Sequence, residues 1–273
     1  MSELTPYPFD RLLRRLGREL AAGEGVFGLP RTAFFLGDPQ HDFSVSLHGR
    51  TVKDDLNIPR PCIDMRNVGY NVEWSQELTL ERSLEEYVKA SMLVDILRAE
   101  GLAPGYDRSL FDMSVGYDLA GVRSPRVRAF IEGMKDASGV VRRLREQVPD
   151  ELARWRDLAF STRVSDTVTL STFHGCPPRE IEDIASFMMA EMGLGVIVKL
   201  NPTLLGPVDL RALLHDALGY TDVRVPEEAF EKDARWEDVV GIVERLGRQA
   251  ASLGRTFGVK LTNTLVVENT AGF

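Results

Sequence analysis

The chain has 273 residues, of which 44% are hydrophobic and 27% charged, a composition typical of one large α/β domain. Its net charge of −8 argues against nucleic acid or an anionic membrane surface as the main partner, because both favour a basic face. No stretch approaches the ~20 apolar residues that span a bilayer, and residues 1–10 lack a signal-peptide core, so we expect a cytoplasmic protein.

The two cysteines, Cys62 and Cys176, have dissimilar surroundings, and two thiols cannot build a disulfide framework or a four-thiolate metal site. A zinc site is disfavoured as well, because the chain offers few further ligands near them. Any iron–sulfur cluster would therefore have to lie on another chain or on a segment outside this sequence.

The first half of the chain predicts mainly helices. Apolar residues at helical spacing predict a helix over 6–20, which we interpret as a packing arm. Residues 41–75 lack clear periodicity and predict a loop or an irregular segment. A second helix is predicted from Ser83, which can cap it, to Gly101, which ends it. The elements predicted next are a strand over 110–115 and charged amphipathic helices over 126–148 and 152–160.

Strands and helices alternate in the second half. The predicted strands cover 167–171, 196–200, 223–225 and 257–261, and the predicted helices cover 178–192, 209–218 and 236–253. Short connections between such elements are typical of a parallel sheet with covering helices. A (β/α)8 barrel needs eight strands and ~250 residues, whereas the whole pattern contains about six strands. From the residues alone, either the barrel is incomplete or the architecture differs.

Residues with chemically useful side chains stand at the ends of three of these strands. They are His174 and Cys176 after the first, Lys199 and Asn201 at the second, and Lys260, Asn263 and Thr264 at the third. Because the carboxyl ends of neighbouring parallel strands meet at one edge of a sheet, we expect these side chains to gather there. That edge is where α/β folds place their active sites.

Cys176 stands between Gly175 and Pro177, with His174 nearby and a predicted helix directly after it. Helix amides and an imidazole can lower the pKa of a thiol and make it a proton donor or a nucleophile. The alternative is a half-buried loop cysteine beside a histidine that bonds to the backbone. Spacing alone favours this alternative, because isolated Cys and His neighbours are a weak signal.

Lys199 ends an apolar strand, so it must either extend out of the sheet or meet an anionic partner, such as a cofactor that gains negative charge. Strand periodicity places Asn201 on the same face if the strand continues. Lys260 lies in a similar run. Asn263 and Thr264 either contribute to a site or stabilise a turn, and the pattern does not separate these interpretations.

Seven stretches of the chain closely resemble the N-terminal domain of the proteins named putative selenate reductase, a family of large iron–sulfur flavoproteins. They are TLSTFHGCPP (169–178), VKLNPTLLG (198–206), GVKLTNT (258–264), FDMSVGYDL (111–119), PCID (61–64), EWS (73–75) and FGLP (27–30). That domain is in turn similar to the FMN-binding barrel of dihydropyrimidine and dihydroorotate dehydrogenases. The resemblance implies a (β/α)8 TIM-barrel-like domain over residues 41–273, preceded by a helical arm over residues 1–40.

The resemblance also implies roles in catalysis and substrate binding. Cys176 corresponds to a loop cysteine that acts as general acid or base on the substrate ring, with His174 beside it. Asn263 and Thr264 correspond to a pair that holds the amide edge of the substrate, and Asn201 is expected near the substrate or the flavin.

Four residues are implied as contacts of FMN: Lys199, Arg50, Asp112 and Lys260. Lys199 corresponds to a strand lysine that lies against the flavin, and a lysine suits that position because reduced flavin is anionic near N1. Hydride transfer at flavin N5 also requires a matched proton transfer by a nearby acid.

The chain departs from the pattern of these relatives at several positions. They have lysine where Arg50 stands and asparagine where Asp112 stands, and lysine and arginine are not equivalent in a tight flavin site. A Gly/Ala-rich segment of early strands precedes the counterpart of Arg50 in the relatives, and a glycine-rich phosphate-binding strand follows the counterpart of residues 271–273. We therefore expect an internally shortened and truncated barrel that lacks its closing strands.

The preferred function is an FMN-dependent oxidoreductase domain that acts on a pyrimidine- or purine-like heterocycle, with iron–sulfur clusters and FAD on a partner or a missing portion. A non-catalytic remnant that serves as a structural or partner-binding module is the alternative. A cysteine hydrolase using Cys176 and His174 is weaker, because the two are too close in sequence to define a triad. We expect no resident metal ion and no nucleic acid or membrane partner.

Overall fold

The computed structural model describes residues 8–21, 79–101, 111–171, 176–263 and 265–268. The chain divides into two compact units, the first of Met1–Phe111 and Ala129–Ser165, the second of Asp112–Arg128 and Asp166–Phe273. The predicted boundary after residue 40 lies outside the described residues.

The described elements follow in chain order. They are α1 (Phe9–Ala21), α2 (Leu80–Ala99), β1 (Met113–Val115), α3 (Leu119–Val122), α4 (Pro125–Lys135), α5 (Ser138–Arg145), α6 (Ala153–Arg156), β2 (Thr167–Ser171), α7 (Pro178–Ala190), β3 (Gly195–Leu200), α8 (Gly206–Arg211), α9 (Glu227–Lys232), α10 (Trp236–Leu253) and β4 (Phe257–Leu261). Short 3₁₀ turns cover Asp150–Leu152 and Pro202–Leu205, and a π-helical turn covers Ala212–Ala217.

Helix α2 is the centre of the first unit. Its predicted start at Ser83 is wrong, because the Thr79 hydroxyl accepts the Arg82 backbone N–H at 3.4 Å and begins the helix at Leu80. Thr and Ser are both good caps. The cap at Thr79 makes Leu80 the first helical residue, and Leu80 is buried in the core. Ser83 instead lies inside the helix, 2% exposed. The predicted end is confirmed at Gly101, whose φ of 76° suits glycine.

A buried ion pair lies within α2. The Lys89 ammonium contacts the carboxylates of Glu85 and Glu86, each at 2.9 Å, and its side chain is only 3% exposed. Arg143 of α5 bonds to the other side of Glu85 at 2.8 Å. Burial raises the pKa of Glu86 above its ordinary value, while Lys89 acts in the opposite direction. The stability of this helix therefore depends on Lys89 staying in place.

The helix predicted over 126–148 is interrupted in the structure. α4 ends at Lys135 and α5 begins at Ser138, because the Asp136 carboxylate accepts the Ser138 backbone N–H at 3.0 Å. The Ala137 N–H turns away to the Thr162 carbonyl at 2.7 Å. An Asp side chain that competes for backbone groups explains the break.

The helix predicted over 152–160 is also shorter in the structure. It comprises only α6, and it is fixed by the buried Trp155, whose indole N–H donates to Glu100 at 2.5 Å.

The second unit is built on a four-stranded parallel sheet in the order β1-β2-β3-β4. The predicted strands at β2, β3 and β4 are confirmed. The strand predicted over 223–225 is wrong. Its buried Val225 packs with Leu210 and Ala229, and the Arg224 carbonyl accepts the Glu268 N–H at 2.8 Å without forming a ladder. The described residues contain four strands rather than about six.

The two faces of the sheet differ in chemistry. On β3, Val196, Val198 and Leu200 are at most 6% exposed and lie on the face covered by α7 and α10. Side chains alternate along a strand, so Lys199 lies on the opposite face. The register extends this polar face to Ser114 and Thr169, and to Lys260 of β4. This arrangement confirms the α/β class with helices over a parallel sheet. No helix among the described residues is long and apolar enough to cross a bilayer.

Replacing Lys89 with methionine should lower the free energy of unfolding by about 3–5 kcal/mol at pH 7, because the buried Glu86 carboxylate would lose this cation. The folded state holds the Glu86 proton more tightly than the unfolded chain does, so the loss should shrink as the pH falls toward 5. Urea unfolding at both pH values measures this.

The matched control is Lys135→Met, which removes a partly exposed pair with Glu132 and should cost less than about 1 kcal/mol at either pH. Equal losses for the two variants would show that the Lys89 pair does not stabilise the fold.

Candidate functional site

The carboxyl ends of β2, β3 and β4 lie side by side at one edge of the sheet. Cys176 lies in the connection from β2 to α7, Asn201 directly follows β3, and Asn263 follows β4. The structure therefore brings these three predicted residues to the same edge. Arg50, His174 and Thr264 lie outside the described residues.

Three polar side chains form a row across the strands just below this edge. Ser171 of β2 is the register partner of Lys199 of β3, which in turn is the partner of Lys260 of β4. Partners on parallel strands are ~4.8 Å apart and share a face, so the two lysine side chains leave neighbouring positions on one face. Lys260 is exposed and Lys199 is half-buried. Two neighbouring cations favour an anionic group over this part of the face.

Two asparagine side chains meet directly above that row. The Asn263 side-chain N–H donates to the Asn201 side-chain oxygen at 2.9 Å, and the Asn263 backbone N–H donates to the Leu200 carbonyl at 2.7 Å. Asn263 is therefore oriented by both the backbone and the side chain of the neighbouring strand end. A role limited to its own turn does not account for this contact.

Cys176 is buried, with 3% of its surface exposed. Burial raises the pKa of its thiol to about 12, and the carboxylates of Glu180 and Asp233 add to this rise. Of the two interpretations left open for Cys176, a thiol of lowered pKa does not agree with this burial. The positions after the cysteine are Pro177 and Pro178, at the cap and first turn of α7, and proline has no N–H to donate to sulfur. At neutral pH the residue is a thiol and not a thiolate.

Two acidic residues near Cys176 were missed by the sequence analysis. Glu180, in the first turn of α7, accepts the Leu119 backbone N–H at 3.3 Å. Asp233, between α9 and α10, accepts a hydrogen bond from the Thr203 hydroxyl at 2.5 Å. The side chains of Asp233 and Thr203 are both buried. Thr203 follows Asn201 and Pro202 directly after β3, so its place at a strand end could have marked it as a candidate site residue. Nothing in the local sequence marks Asp233.

Asp112 lies on the polar face at the amino end of β1, away from the strand-end cluster. The Thr169 hydroxyl donates to its carboxylate at 2.5 Å. Burial raises the pKa of Asp112, whereas hydroxyl contacts from Thr169 and Thr167 and the charge of Lys260 act to lower it. Asp112 and Lys260 therefore interact electrostatically across the polar face.

The donor set on this face fits the ring portion of a flavin. Lys199 and Lys260 could supply cations for a ring edge that gains negative charge, and the paired amides of Asn201 and Asn263 could supply directional polar groups. Among the described residues, no group of three or more His, Cys, Asp or Glu side chains could hold a metal ion.

A sequence profile of one protein family matches residues 49–273, which is most of the chain. The family is described as "Oxidoreductase YgfK, N-terminal TIM-barrel domain". The chain belongs to this family. The TIM-barrel fold class predicted from the sequence is thereby confirmed, and the four parallel strands form part of such a barrel. No solved structure matches the chain.

Two curated relatives carry the name "Putative oxidoreductase YgfK", one from Escherichia coli strain K12 and one from Escherichia coli O157:H7. Each is 32% identical to this chain over 325 aligned positions, which cover 98% of the chain but only 31% of the relative. The chain has 273 residues, so at least 52 aligned positions of the relatives have no counterpart in it. The names of the family and of both relatives describe them as oxidoreductases.

Proposed function

We propose that this chain is an FMN-dependent oxidoreductase domain that acts on a pyrimidine- or purine-like heterocycle, with Cys176 as the proton donor. The observation that carries the proposal is the lysine pair and the asparagine pair at the carboxyl ends of β3 and β4, with Cys176 in the connection that leaves the carboxyl end of β2. The oxidoreductase family of the chain supports the reaction class. Its resemblance to the FMN barrel of dihydropyrimidine and dihydroorotate dehydrogenases supports the cofactor.

FMN, when bound, supplies the acceptor or donor of hydride. Lys199 would hold its ammonium group against the ring edge that becomes negative, and Lys260 would add a second positive charge at the same level. Asn201 and Asn263 would bind the amide edge of the heterocycle, with their mutual hydrogen bond fixing both side chains before the substrate arrives. Cys176 would deliver the proton that balances hydride transfer.

The high pKa of the Cys176 thiol favours the direction of substrate reduction at neutral pH. A thiol with a pKa of about 12 is fully protonated, so it can give its proton to the substrate carbon next to the one that receives hydride, where the negative charge develops. In the opposite direction the residue must accept a proton as thiolate, a form that makes up about one part in 10⁵ at pH 7. The same protonation disfavours a cysteine hydrolase, whose nucleophile is a thiolate.

The chain spans 31% of the curated relatives, so we further propose that it is one module of a larger electron-transfer enzyme. Iron–sulfur clusters and FAD would lie on the remaining polypeptide or on a partner. The second candidate function is a non-catalytic module that binds a partner. One observation favours it. The alignment with the relatives has 325 positions and this chain has 273 residues, so at least 52 positions of the relatives have no counterpart in it.

The purified chain should bind added FMN at a near-equal molar ratio and show a flavin absorption band. Lys199→Met should weaken FMN affinity by about tenfold or more, because the anionic ring edge loses its cation. Lys232→Met, which removes a surface pair with Glu228, is the matched control and should bind FMN as the parent chain does. A folded chain that takes up no FMN would contradict the proposal and support the non-catalytic module.

Replacing Cys176 with serine should leave FMN bound and slow substrate reduction by about 10²–10⁴-fold, the range expected for loss of a general acid. In the parent protein, the rate of substrate oxidation should rise with pH up to at least pH 10, because the thiolate fraction grows as the pH approaches 12. Stopped-flow flavin absorbance measures both directions. Unchanged turnover in the serine variant would remove the acid–base role.

A further inference from the structure

The connection from β3 to α10 covers residues 201–235 and begins at the edge of the sheet where the candidate site lies. It folds through α8 and α9 around a small core of its own, in which Leu210, Val225 and Ala229 are buried. Asn201 is the first residue of this connection. The path that the connection takes therefore determines where the Asn201 amide lies.

A buried hydrogen bond joins the two ends of this connection. The Thr203 hydroxyl, in the turn after β3, donates to the carboxylate of Asp233, at the end of α9, at 2.5 Å. Thr203 is 5% exposed and Asp233 is 6% exposed, so water competes little for this contact. A hydroxyl that donates to a carboxylate at such a distance forms one of the stronger hydrogen bonds in proteins.

Both partners are fixed to the chain around them. The Asp233 backbone N–H donates to the Ala229 carbonyl at 3.2 Å, which ties Asp233 to α9 and its small core. The Leu204 N–H donates to the Asn201 carbonyl at 3.1 Å, within the same turn as Thr203. The hydrogen bond between Thr203 and Asp233 therefore anchors the turn that carries Asn201 to the core of the connection.

Asp233 also acts on the neighbouring strand ends. Its negative charge adds to the effect of burial in raising the pKa of the Cys176 thiol, in the connection after β2. The Asn263 side chain, after β4, donates to the Asn201 side chain at 2.9 Å. Directly or through Thr203, one carboxylate therefore influences a group at the end of each of the three strands.

We propose that Asp233 and Thr203 are positioning residues, which hold the Asn201 and Asn263 side chains in the orientation that receives the substrate. They act through the turn after β3 and not on the substrate itself. An amide pair that is oriented before the substrate arrives lowers the entropic cost of binding it. The role of the amides in binding rests on the proposed function, whereas their orientation is a property of the chain and is measured on the chain alone.

Replacing Thr203 with valine tests the inference, because valine has nearly the shape of threonine without the hydroxyl. The Asn263 side-chain amide should then exchange its protons with water about tenfold faster, the effect expected when one hydrogen bond that orients it is lost. Thr203→Ser, which restores the hydroxyl, should stay within about twofold of the parent chain. Thr221→Val, at an exposed threonine of the same connection, is the matched control and should exchange as the parent does. NMR saturation transfer on the isotope-labelled chain measures these rates.

A second variant separates the lost hydrogen bond from the cost of a buried carboxylate that loses its hydroxyl. Thr203→Val combined with Asp233→Leu removes both polar partners, and it should show the same faster exchange. Equal exchange of the Asn263 amide in the parent chain, the valine variant and the double variant would overturn the inference. The rates are measured without FMN or substrate, so a failure to bind FMN, which would contradict the proposed function, does not change this outcome.

Discussion

The parallel register of β2, β3 and β4 is the constraint on which the candidate site depends. It places Ser171, Lys199 and Lys260 in one row and sends the neighbouring Val198 and Leu200 to the helix-covered face. Because strand side chains have a period of two, a slip of one residue in β3 would bury Lys199 against α7 and α10 and expose its apolar neighbours. Exposing these apolar side chains and burying a lysine would be unfavourable, so the hydrophobic pattern determines the register. The register in turn determines which side chains lie on the polar face.

The site combines cationic side chains with an uncharged thiol. Lys199 is half-buried and Lys260 is exposed on the polar face of the sheet. The thiol of Cys176 is buried between prolines and carboxylates, and both influences oppose the thiolate. Such a separation of a cationic surface from a neutral proton donor suits hydride chemistry, in which charge and proton are delivered to different atoms.

The sequence predicted the elements whose apolar pattern was long or strongly β-branched. The strands over 167–171 and 257–261 have the bounds that the pattern gives, and α10 agrees at both ends. Errors arose where a single polar side chain changed the backbone path. Asp136 divides a predicted helix, and Thr79 caps another earlier than Ser83. These competitions depend on hydrogen-bond geometry that periodicity does not encode.

For the site, the strand ends indicated which residues would meet, because parallel strands share an edge whatever their side chains are. The contact between Asn201 and Asn263 follows from that rule together with the alternation of side chains. Asp233 was not found, because it reaches Thr203 and Cys176 from a turn far along the chain. The sequence left the pKa of Cys176 open, because its direction depends on burial and on the two prolines that begin the following helix without an N–H.

Lysine footprinting with and without FMN tests most directly whether the polar face of the sheet holds the cofactor. Each ammonium group is acetylated with a limiting reagent, and peptide mass spectrometry gives its rate. The account predicts that saturating FMN slows the modification of Lys199 and Lys260 and leaves Lys232 and Lys135, which lie on other surfaces, unchanged. Equal rates at Lys199 and Lys260 with and without bound FMN would contradict it.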